Sequence, residues 1–290
     1  MINGHKIGFM PSGSYGKQPV AAICESLKKI GYDAVEWHHG FFCPRSHTYD
    51  ELKEMVSITE KSGLEISEIV VQQDLVMTDT EKRKDNIEYV KQCIEVFASL
   101  GIKAINLFTG PVPWNRHPLI IGSGISEGDA WNMVLRAFRE FVPLSEKNQL
   151  HLAVENVWGM LCHDFYTAKF LIDYFNSPYL GVNYDPSHDI LAGNMDVGWI
   201  VRQWGRDRIK HVHLKDAVGT QIQGQFVFPL PGEGFVDWKS FIAAVDDIGY
   251  EGVMSVEFES FEYLKKILCN DMEKAAWIAY ENFCKLFGND

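Results

Sequence analysis

The feature that most restricts the fold is a repeated pattern, in which an amphipathic helix ends at a turn and a short apolar strand follows. In most copies a glycine stands where the helix should end, because glycine adopts the left-handed conformation of a helix C-terminus without strain. The clear copies cover 26–37, 59–71, 98–108, 145–156 and 246–259. Such alternation of helix and strand predicts a parallel sheet covered by helices.

Eight strands are predicted along the chain. They lie near 6–10, 33–37, 66–71, 103–108, 151–155, 180–184, 209–214 and 253–257. They are short apolar runs rather than strict alternations, as expected for parallel strands covered on both faces. Without a glycine-rich dinucleotide-binding motif, this pattern predicts an α/β fold, a single (β/α)8 TIM barrel, in one domain covering 1–290. The alternative is a doubly wound open sheet.

Composition and charge narrow the class of function. The 27 lysines and arginines are outnumbered by 39 acidic residues, which gives a formal net charge of −12. This acidity disfavours a nucleic-acid partner, since such proteins normally carry a basic face. No run of about 18 apolar residues and no N-terminal secretion signal is recognised. We therefore expect no membrane partner and a cytoplasmic location.

Ionisable residues end four consecutive predicted strands. The active site of a barrel lies at the C-terminal ends of its strands, so these residues are the leading candidates. Glu155 and Asp185 end the fifth and sixth strands, and Glu257 ends the eighth. In the seventh, His211 and His213 share one face, and His213 lies nearer the end. Three carboxylates and one imidazole at one end of a barrel predict a divalent metal site.

The predicted ligand set is rich in oxygen. It favours Mn²⁺, with Mg²⁺ and Co²⁺ as alternatives, and Zn²⁺ is allowed because it also accepts carboxylate and imidazole. An ion chelated by a carbonyl and a neighbouring hydroxyl oxygen would stabilise an enediolate. Carboxylates on opposite sides of a bound hydroxy-carbonyl compound can act as base and acid. These groups permit epimerisation, aldose–ketose isomerisation or β-elimination.

Other residues near predicted strand ends are candidates for substrate binding. Glu36 ends the second strand, and Trp114 and His117 lie in the long loop after the fourth, where a lid would be placed. Trp37, Trp114 and Trp158 follow strands and are expected at the barrel mouth. Their aromatic faces would suit the apolar side of a sugar or an attached aromatic group.

The sequence PGEGFVDW predicts a tight loop near the site. Gly232 and Gly234 in this loop offer backbone groups that could cradle a phosphate. No cluster of arginines accompanies them, so we expect an unphosphorylated sugar.

Five segments resemble the sugar isomerase/epimerase superfamily of xylose-isomerase-like barrels, which also contains endonuclease IV. They are AVENVWG, VNYDPSHDILAG, IKHVHLKDA, PGEGFVDW and SVEFES. The resemblance spans essentially the whole chain and is strongest over 150–260. In the similar tagatose/psicose 3-epimerases, the corresponding residues bind the metal and the two glutamates exchange protons with the substrate. The resemblance therefore implies that Glu155, Asp185, His213 and Glu257 bind the metal, and that Glu155 and Glu257 are also catalytic.

The resemblance also implies two substrate contacts. His188, in the turn DPSH, matches a substrate-contacting histidine. In the epimerases an arginine follows the histidine ligand, but here that stretch reads LKDAVGTQ. Lys215 is the cation nearest to this position, so we expect His188 and Lys215 to hold substrate oxygens. The identity of the sugar stays open.

A metal-dependent isomerase or epimerase acting on a sugar or keto-sugar is the first interpretation. The main alternative is a lyase, since inosose dehydratase, 3-dehydroshikimate dehydratase and the large subunit of C-glycoside deglycosidases resemble the same barrels. The deglycosidase would need a small partner subunit, and a homo-oligomer is a further option. An endonuclease IV-like nuclease is disfavoured because no histidine follows His213. A binding module without activity is disfavoured because every predicted ligand position is filled.

Overall fold

A closed barrel of eight parallel strands forms the centre of the computed structural model, which describes residues 1–288. The strands are β1 (Lys6–Phe9), β2 (Ala34–His38), β3 (Glu65–Val70), β4 (Ala104–Leu107), β5 (His151–Glu155), β6 (Leu180–Tyr184), β7 (Ile209–Leu214) and, after the two short strands described below, β10 (Val253–Val256). Pairing of β1 with both β2 and β10 closes the barrel. The prediction of a (β/α)8 barrel is confirmed, and the open sheet is wrong.

Helices follow the barrel strands and form the outer layer. They are α1 (Val20–Ile30), α2 (Tyr49–Lys61), α3 (Thr80–Ser99), α4 (Glu127–Asn148), α5 (Phe165–Phe175), α6 (Pro186–Ala192), α7 (Val197–Arg208), α8 (Trp238–Asp247), α9 (Phe261–Lys266) and α10 (Met272–Phe287). Local sequence fixes their ends. The side chain of Thr48, for example, accepts the backbone N–H of Glu51, whose own side chain accepts the N–H of Thr48. Among residues 1–288, no helix is both long and apolar enough to cross a membrane.

A small hairpin interrupts the repeat after β7. Its strands, β8 (Val218–Gly219) and β9 (Phe226–Val227), pair antiparallel and stand apart from the barrel sheet. The sequence pattern does not predict it, because two-residue strands carry too little periodicity.

Alternate side chains of each barrel strand point to the barrel interior or to the helices. Trp37 on β2 is fully buried, and its indole N–H donates to Thr59 Oγ1 on α2 at 3.2 Å. Its ring also packs near Phe41 and Phe42. The expectation that Trp37 lies at the mouth is therefore wrong. Its neighbour Glu36, one position earlier in the pleat, points into the barrel instead.

Candidate metal centre

The side chains at the ends of four neighbouring strands converge at one end of the barrel. Glu155 ends β5, Asp185 follows β6, His213 lies near the end of β7, and Glu257 follows β10. Each contributes one possible ligand atom, and these atoms all lie within 4.8 Å of one another. His213 Nδ1 is 3.3 Å from Glu155 Oε1 and 3.4 Å from Glu257 Oε2. The structure thus brings the predicted ligands together.

In Glu155 and in Asp185, one carboxylate oxygen accepts hydrogen bonds from neighbouring residues, and the second oxygen of the same carboxylate faces the centre. Glu155 Oε2 accepts hydrogen bonds from Gln72 Nε2 at 3.0 Å and Asn106 Nδ2 at 3.1 Å, while Oε1 points toward His213. Asp185 Oδ1 accepts the backbone N–H of Ser187 at 2.8 Å. Asp185 Oδ2 is buried and accepts no hydrogen bond from the residues described, 1–288. Gln72 and Asn106 were not predicted as site residues.

Glu36 fixes the other side of His213. Its Oε1 lies 2.8 Å from His213 Nε2, and both side chains are fully buried. A carboxylate can only accept here, so Nε2 carries a proton and Nδ1 is the ring nitrogen that faces Glu155 and Glu257. Glu36 was predicted as a substrate contact. It lies instead beneath the centre, apart from the described residues that line the cavity above it.

A second polar layer lies below the ligands, inside the barrel. His211 Nδ1 is 3.1 Å from Glu68 Oε1, and His211 Nε2 is 3.1 Å from Ser255 Oγ. Burial raises the pKa of Glu68 to about 8 and lowers that of His211 to about 4. His211 is therefore a packed neutral residue, consistent with the preference for His213 at the mouth. Glu68 and Ser255 were not singled out from the sequence.

Lys215 places a positive charge against the carboxylates. Its Nζ lies 2.9 Å from Asp185 Oδ2 and 3.0 Å from Glu259 Oε2, and it also contacts Glu257 Oε2. Burial alone would lower the pKa of Lys215, but Asp185 and then Glu257 outweigh that effect and raise it well above its usual value. The centre therefore stabilises positive charge strongly.

The pKa of His213 also indicates that the centre stabilises positive charge. Burial alone would lower the pKa of His213, yet the carboxylates of Glu36, Glu155 and Glu257 outweigh it and raise the pKa well above its usual value. Asp185 Oδ2 accepts no hydrogen bond in regular geometry from the described residues but lies 2.9 Å from Lys215 Nζ, so it is a buried anionic oxygen that faces a positive charge. The donor set and its electrostatics thus fit a divalent cation.

His188 lies beside this centre and lines the cavity. Its Nε2 is 3.4 Å from Asp185 Oδ2 and 3.3 Å from Lys215 Nζ, and its Nδ1 lies 3.4 Å from the backbone N of Trp158. Burial, and then the charge of Lys215, lowers the pKa of His188 to about 3. A neutral imidazole therefore faces the place where substrate oxygens would bind.

A cavity of about 750 Å³ opens above the ligands. Its floor is polar and is formed by Gln72, Glu155, His188, Lys215, Glu257 and Glu259. Its outer walls are mainly apolar and include Trp114, Trp158, Phe226, Phe228, Leu230 and Phe261. Of the other predicted contacts, Trp114 lines the cavity, while His117 is exposed and lies outside the described lining.

One buried carboxylate organises the loop between β7 and α8. Asp216 Oδ2 accepts the backbone N–H groups of Gly232 and Gly234 and the indole N–H of Trp238, each at 3.0 Å. Asp216 Oδ1 accepts the N–H of Val236 at 3.1 Å. The two glycine N–H groups are therefore engaged by a carboxylate instead of forming a phosphate cradle. In the sequence, the two glycines that follow the LKD motif could have indicated that Asp216 binds the backbone of this loop.

A family model described as xylose isomerase-like TIM barrel matches residues 24–279. The chain belongs to this family. This confirms the family resemblance predicted from the motifs. Proteins similar to this xylose isomerase-like barrel include inosose dehydratases and a D-psicose 3-epimerase.

Individual relatives are distant from this xylose isomerase-like barrel. It is 23% identical to an inosose dehydratase of Clostridium perfringens over 155 residues, which is 49% of this chain and 52% of that protein. The chain thus spans about half the length of the curated relatives it matches first.

Two solved structures share the fold over nearly the whole chain. The IolI protein with a bound zinc atom superposes with a TM-score of 0.77 and 19% identity, covering 97% of this chain and 98% of that one. A D-psicose 3-epimerase crystallised with D-fructose gives a TM-score of 0.73 and 15% identity, covering 98% and 100%. At these identities the similarity establishes the fold alone.

Proposed function

We propose that this protein is a divalent-metal-dependent isomerase or epimerase that moves a proton beside the carbonyl group of a sugar or keto-sugar. The observation that carries the proposal is the convergence of Glu155, Asp185, His213 and Glu257, two of which, Glu155 and Glu257, line the floor of a cavity. These four residues would hold the ion, which when bound would stabilise negative charge on a substrate oxygen. Mn²⁺ is our first choice because three ligands are carboxylates. The similar IolI structure holds zinc.

Glu155 and Glu257 are the proposed proton-transfer groups. They come from strands on either side of β6 and β7, so they flank a substrate bound over His213. Burial alone would raise the pKa of Glu257, but the ammonium of Lys215 outweighs it and lowers the pKa well below its usual range. Glu257 is therefore ionised, as a proton acceptor must be, while Glu155 serves the other face of the sugar.

Lys215 and His188 are the proposed substrate-positioning groups. The ammonium of Lys215 can donate to a substrate oxygen from its place beside Glu257 and Glu259. The neutral imidazole of His188, 3.3 Å away, can accept or donate a hydrogen bond to a neighbouring hydroxyl. Together they would hold the reacting carbon within reach of the two glutamates.

A lyase acting by β-elimination is the second candidate. Glu259 favours it, because this third carboxyl group lies in the cavity wall, 3.0 Å from Lys215 Nζ, and is not needed as a ligand. Elimination requires an acid that protonates the departing hydroxyl or alkoxide, in addition to the base beside the carbonyl. The similarity to inosose dehydratase supports the same alternative.

Solvent deuterium exchange tests the proposed function. The protein is treated with EDTA, reloaded with Mn²⁺ and incubated in D₂O with a panel of ketoses, inosose and 3-keto-glucosides. NMR should show metal-dependent deuterium incorporation beside the carbonyl of one panel member. Exchange without elimination identifies an epimerase or isomerase, whereas loss of a leaving group identifies the lyase.

The variant Glu257→Gln should lower exchange by about 100-fold or more while Mn²⁺ stays bound, because a general base contributes roughly 10²–10⁴-fold. Glu251→Gln is the control, since Glu251 is exposed and pairs with Arg206 away from the cavity. Exchange at the wild-type rate in metal-loaded Glu257→Gln would contradict the assignment.

A further inference from the structure

The outer part of the cavity is larger and more apolar than a sugar ring alone requires. Its volume of about 750 Å³ lies in the range of roughly 300–1,000 Å³ found for pockets that enclose drug-sized ligands. The buried polar groups that suit sugar hydroxyls lie at the floor around Glu155, Lys215 and Glu257. The lining also includes the polar side chains of Gln223, Glu233, Ser260, Glu262 and Tyr263. The remaining space is bounded mainly by aromatic and aliphatic side chains.

We infer that the sugar substrate carries a flat apolar substituent, such as an aryl group in a glycosidic position, which binds in this outer chamber. The inference rests on the proposed function for the sugar part only. The substituent is assigned from the chamber walls.

One wall is a continuous row of aromatic rings that runs from the rim to the metal centre. The ring centroids of Trp114 and Trp158 are 6.3 Å apart, those of Trp158 and Phe226 4.8 Å, and those of Phe226 and Phe228 5.3 Å. The row ends where the Phe228 ring lies 4.7 Å from Lys215 Nζ. The rings that line the cavity thus form a series from Trp114 to the ammonium group of Lys215.

A different loop supplies further apolar surface to the same chamber. Phe261, at the start of α9, is 59% exposed, and Trp114 in the first wall is 51% exposed. Large apolar side chains that share one cavity and remain open to water are typical of a ligand-binding surface. A planar apolar group bound between them would cover both.

Charge argues against an anionic substituent. Among the described residues that line the cavity, Lys215 is the only lysine or arginine, and it is engaged by carboxylates at the floor. The outer lining instead includes Glu233 and Glu262. A phosphate or carboxylate on the substituent would be repelled there, whereas a neutral ring would not.

The first wall is held in place before any ligand binds. Phe226 and Phe228 belong to the loop that Asp216 ties down through Gly232, Gly234 and other donors. A preformed wall binds a rigid group with a smaller ordering cost than a flexible loop would. This favours selective recognition of the substituent over incidental contact.

Matched glycosides test the inference by isothermal titration calorimetry on Mn²⁺-loaded protein. The probes are the methyl and phenyl glycosides of D-glucose, D-galactose and D-xylose. For at least one sugar, the phenyl glycoside should bind about tenfold or more tightly than the methyl glycoside and quench tryptophan fluorescence. Equal affinities throughout the panel, or no binding of any phenyl glycoside, would overturn the inference.

Variants locate the effect in the chamber. Phe226→Ala and, independently, Trp114→Ala should reduce the affinity for the phenyl glycoside at least fivefold more than the affinity for the methyl glycoside. Phe235→Ala is the matched control, because Phe235 is exposed on the same loop but lies outside the described cavity lining. A phenyl preference that survives both wall variants would contradict the assignment.

The outcome separates this inference from the proposed function. Deuterium exchange on free sugars without any phenyl preference would overturn the aryl assignment and leave the proposed reaction standing. A phenyl preference without exchange on any keto-sugar would do the reverse.

Discussion

Glu36 and His213 form a buried carboxylate–imidazole pair beneath the candidate ligands. The 2.8 Å contact to Nε2 decides which nitrogen of His213 faces Glu155 and Glu257. Histidines that bind metals usually donate their other N–H to such a partner, which fixes the ring and raises its basicity. Glu36 is therefore best described as a positioning residue for the centre.

The substitution Glu36→Gln should weaken Mn²⁺ binding by roughly 10- to 100-fold, because the amide is a weaker acceptor for the His213 N–H. Competition with a chelator measures the affinity, and the visible spectrum of the Co²⁺-loaded protein reports any change in ligand geometry. Glu65→Gln is the control, since Glu65 begins β3 in an exposed pair with Lys6. An unchanged affinity together with an unchanged Co²⁺ spectrum would show that Glu36 does not position His213.

The four converging side chains could be predicted from the sequence because each lies at the end of a predicted strand. They are those of Glu155, Asp185, His213 and Glu257. The partners that hold them could not be predicted in this way. Gln72 follows its strand in the same way as Asp185, but an amide gives no charge signal in a sequence. Asn106 lies within a strand, where nothing in the local pattern separates an inward polar residue from an ordinary one.

The conformation of the loop between β7 and α8 is held more by the side chain of Asp216 than by the pairing of the short strands β8 and β9. β8 and β9 contribute two residues each, whereas Asp216 accepts hydrogen bonds from several donors spread over residues 217–238. A buried carboxylate is stable in such a place because the N–H groups replace its water. The conformation of the whole loop is therefore coupled to Asp216.

Asp216→Asn should lower the free energy of unfolding by about 2–4 kcal/mol, because charged hydrogen bonds are lost and an amide N–H₂ group faces other donors. Urea unfolding measures the loss, and limited proteolysis should show faster cleavage within 217–237. Glu233→Gln, at an exposed position of the same loop, should change neither. Wild-type stability and protease resistance in Asp216→Asn would refute this role.

Several imidazole groups, those of His151, His188 and His211 among them, have a lowered pKa, which couples the stability of the whole molecule to pH. His151, at the start of β5, stacks on Tyr179 with ring centroids 5.1 Å apart. Burial, and then the charge of Lys210, lowers the pKa of His151 to about 4. The unfolded chain, with a pKa of about 6.5, takes up this proton first as the pH falls. The stabilisation is thus complete above about pH 6.5 and is lost toward pH 4.

Between pH 7 and pH 5 we expect His151 to lower the free energy of unfolding by about 1 kcal/mol, a value reduced for the partial exposure of its ring. Urea unfolding at both pH values measures it, and His151→Gln should reduce the difference by this amount. His117→Gln, at an exposed loop position, is the control and should leave the difference unchanged. An equal or larger fall in His151→Gln would contradict the assignment.

At this scale the barrel was predictable almost in full, since eight apolar runs separated by amphipathic helices have few other ways to bury both faces. Every predicted barrel strand overlaps an observed one, as in 180–184 and β6. The direction in which each strand residue points, into the barrel or toward the helices, was harder to predict from the sequence. The parity of Trp37 and Glu36 depends on the pleat of β2 relative to the barrel axis, which the aromatic content of the segment does not reveal.

Asp216 accepts hydrogen bonds from donors on both sides of the hairpin, so the anchor of the loop lies outside the tip between Thr220 and Gln225. The residues of this tip and the rings beside it can therefore change during evolution while the anchor and the four candidate ligands stay the same. Proteins with this anchor would then adapt to new aglycones through substitutions within this loop and would not need a new scaffold.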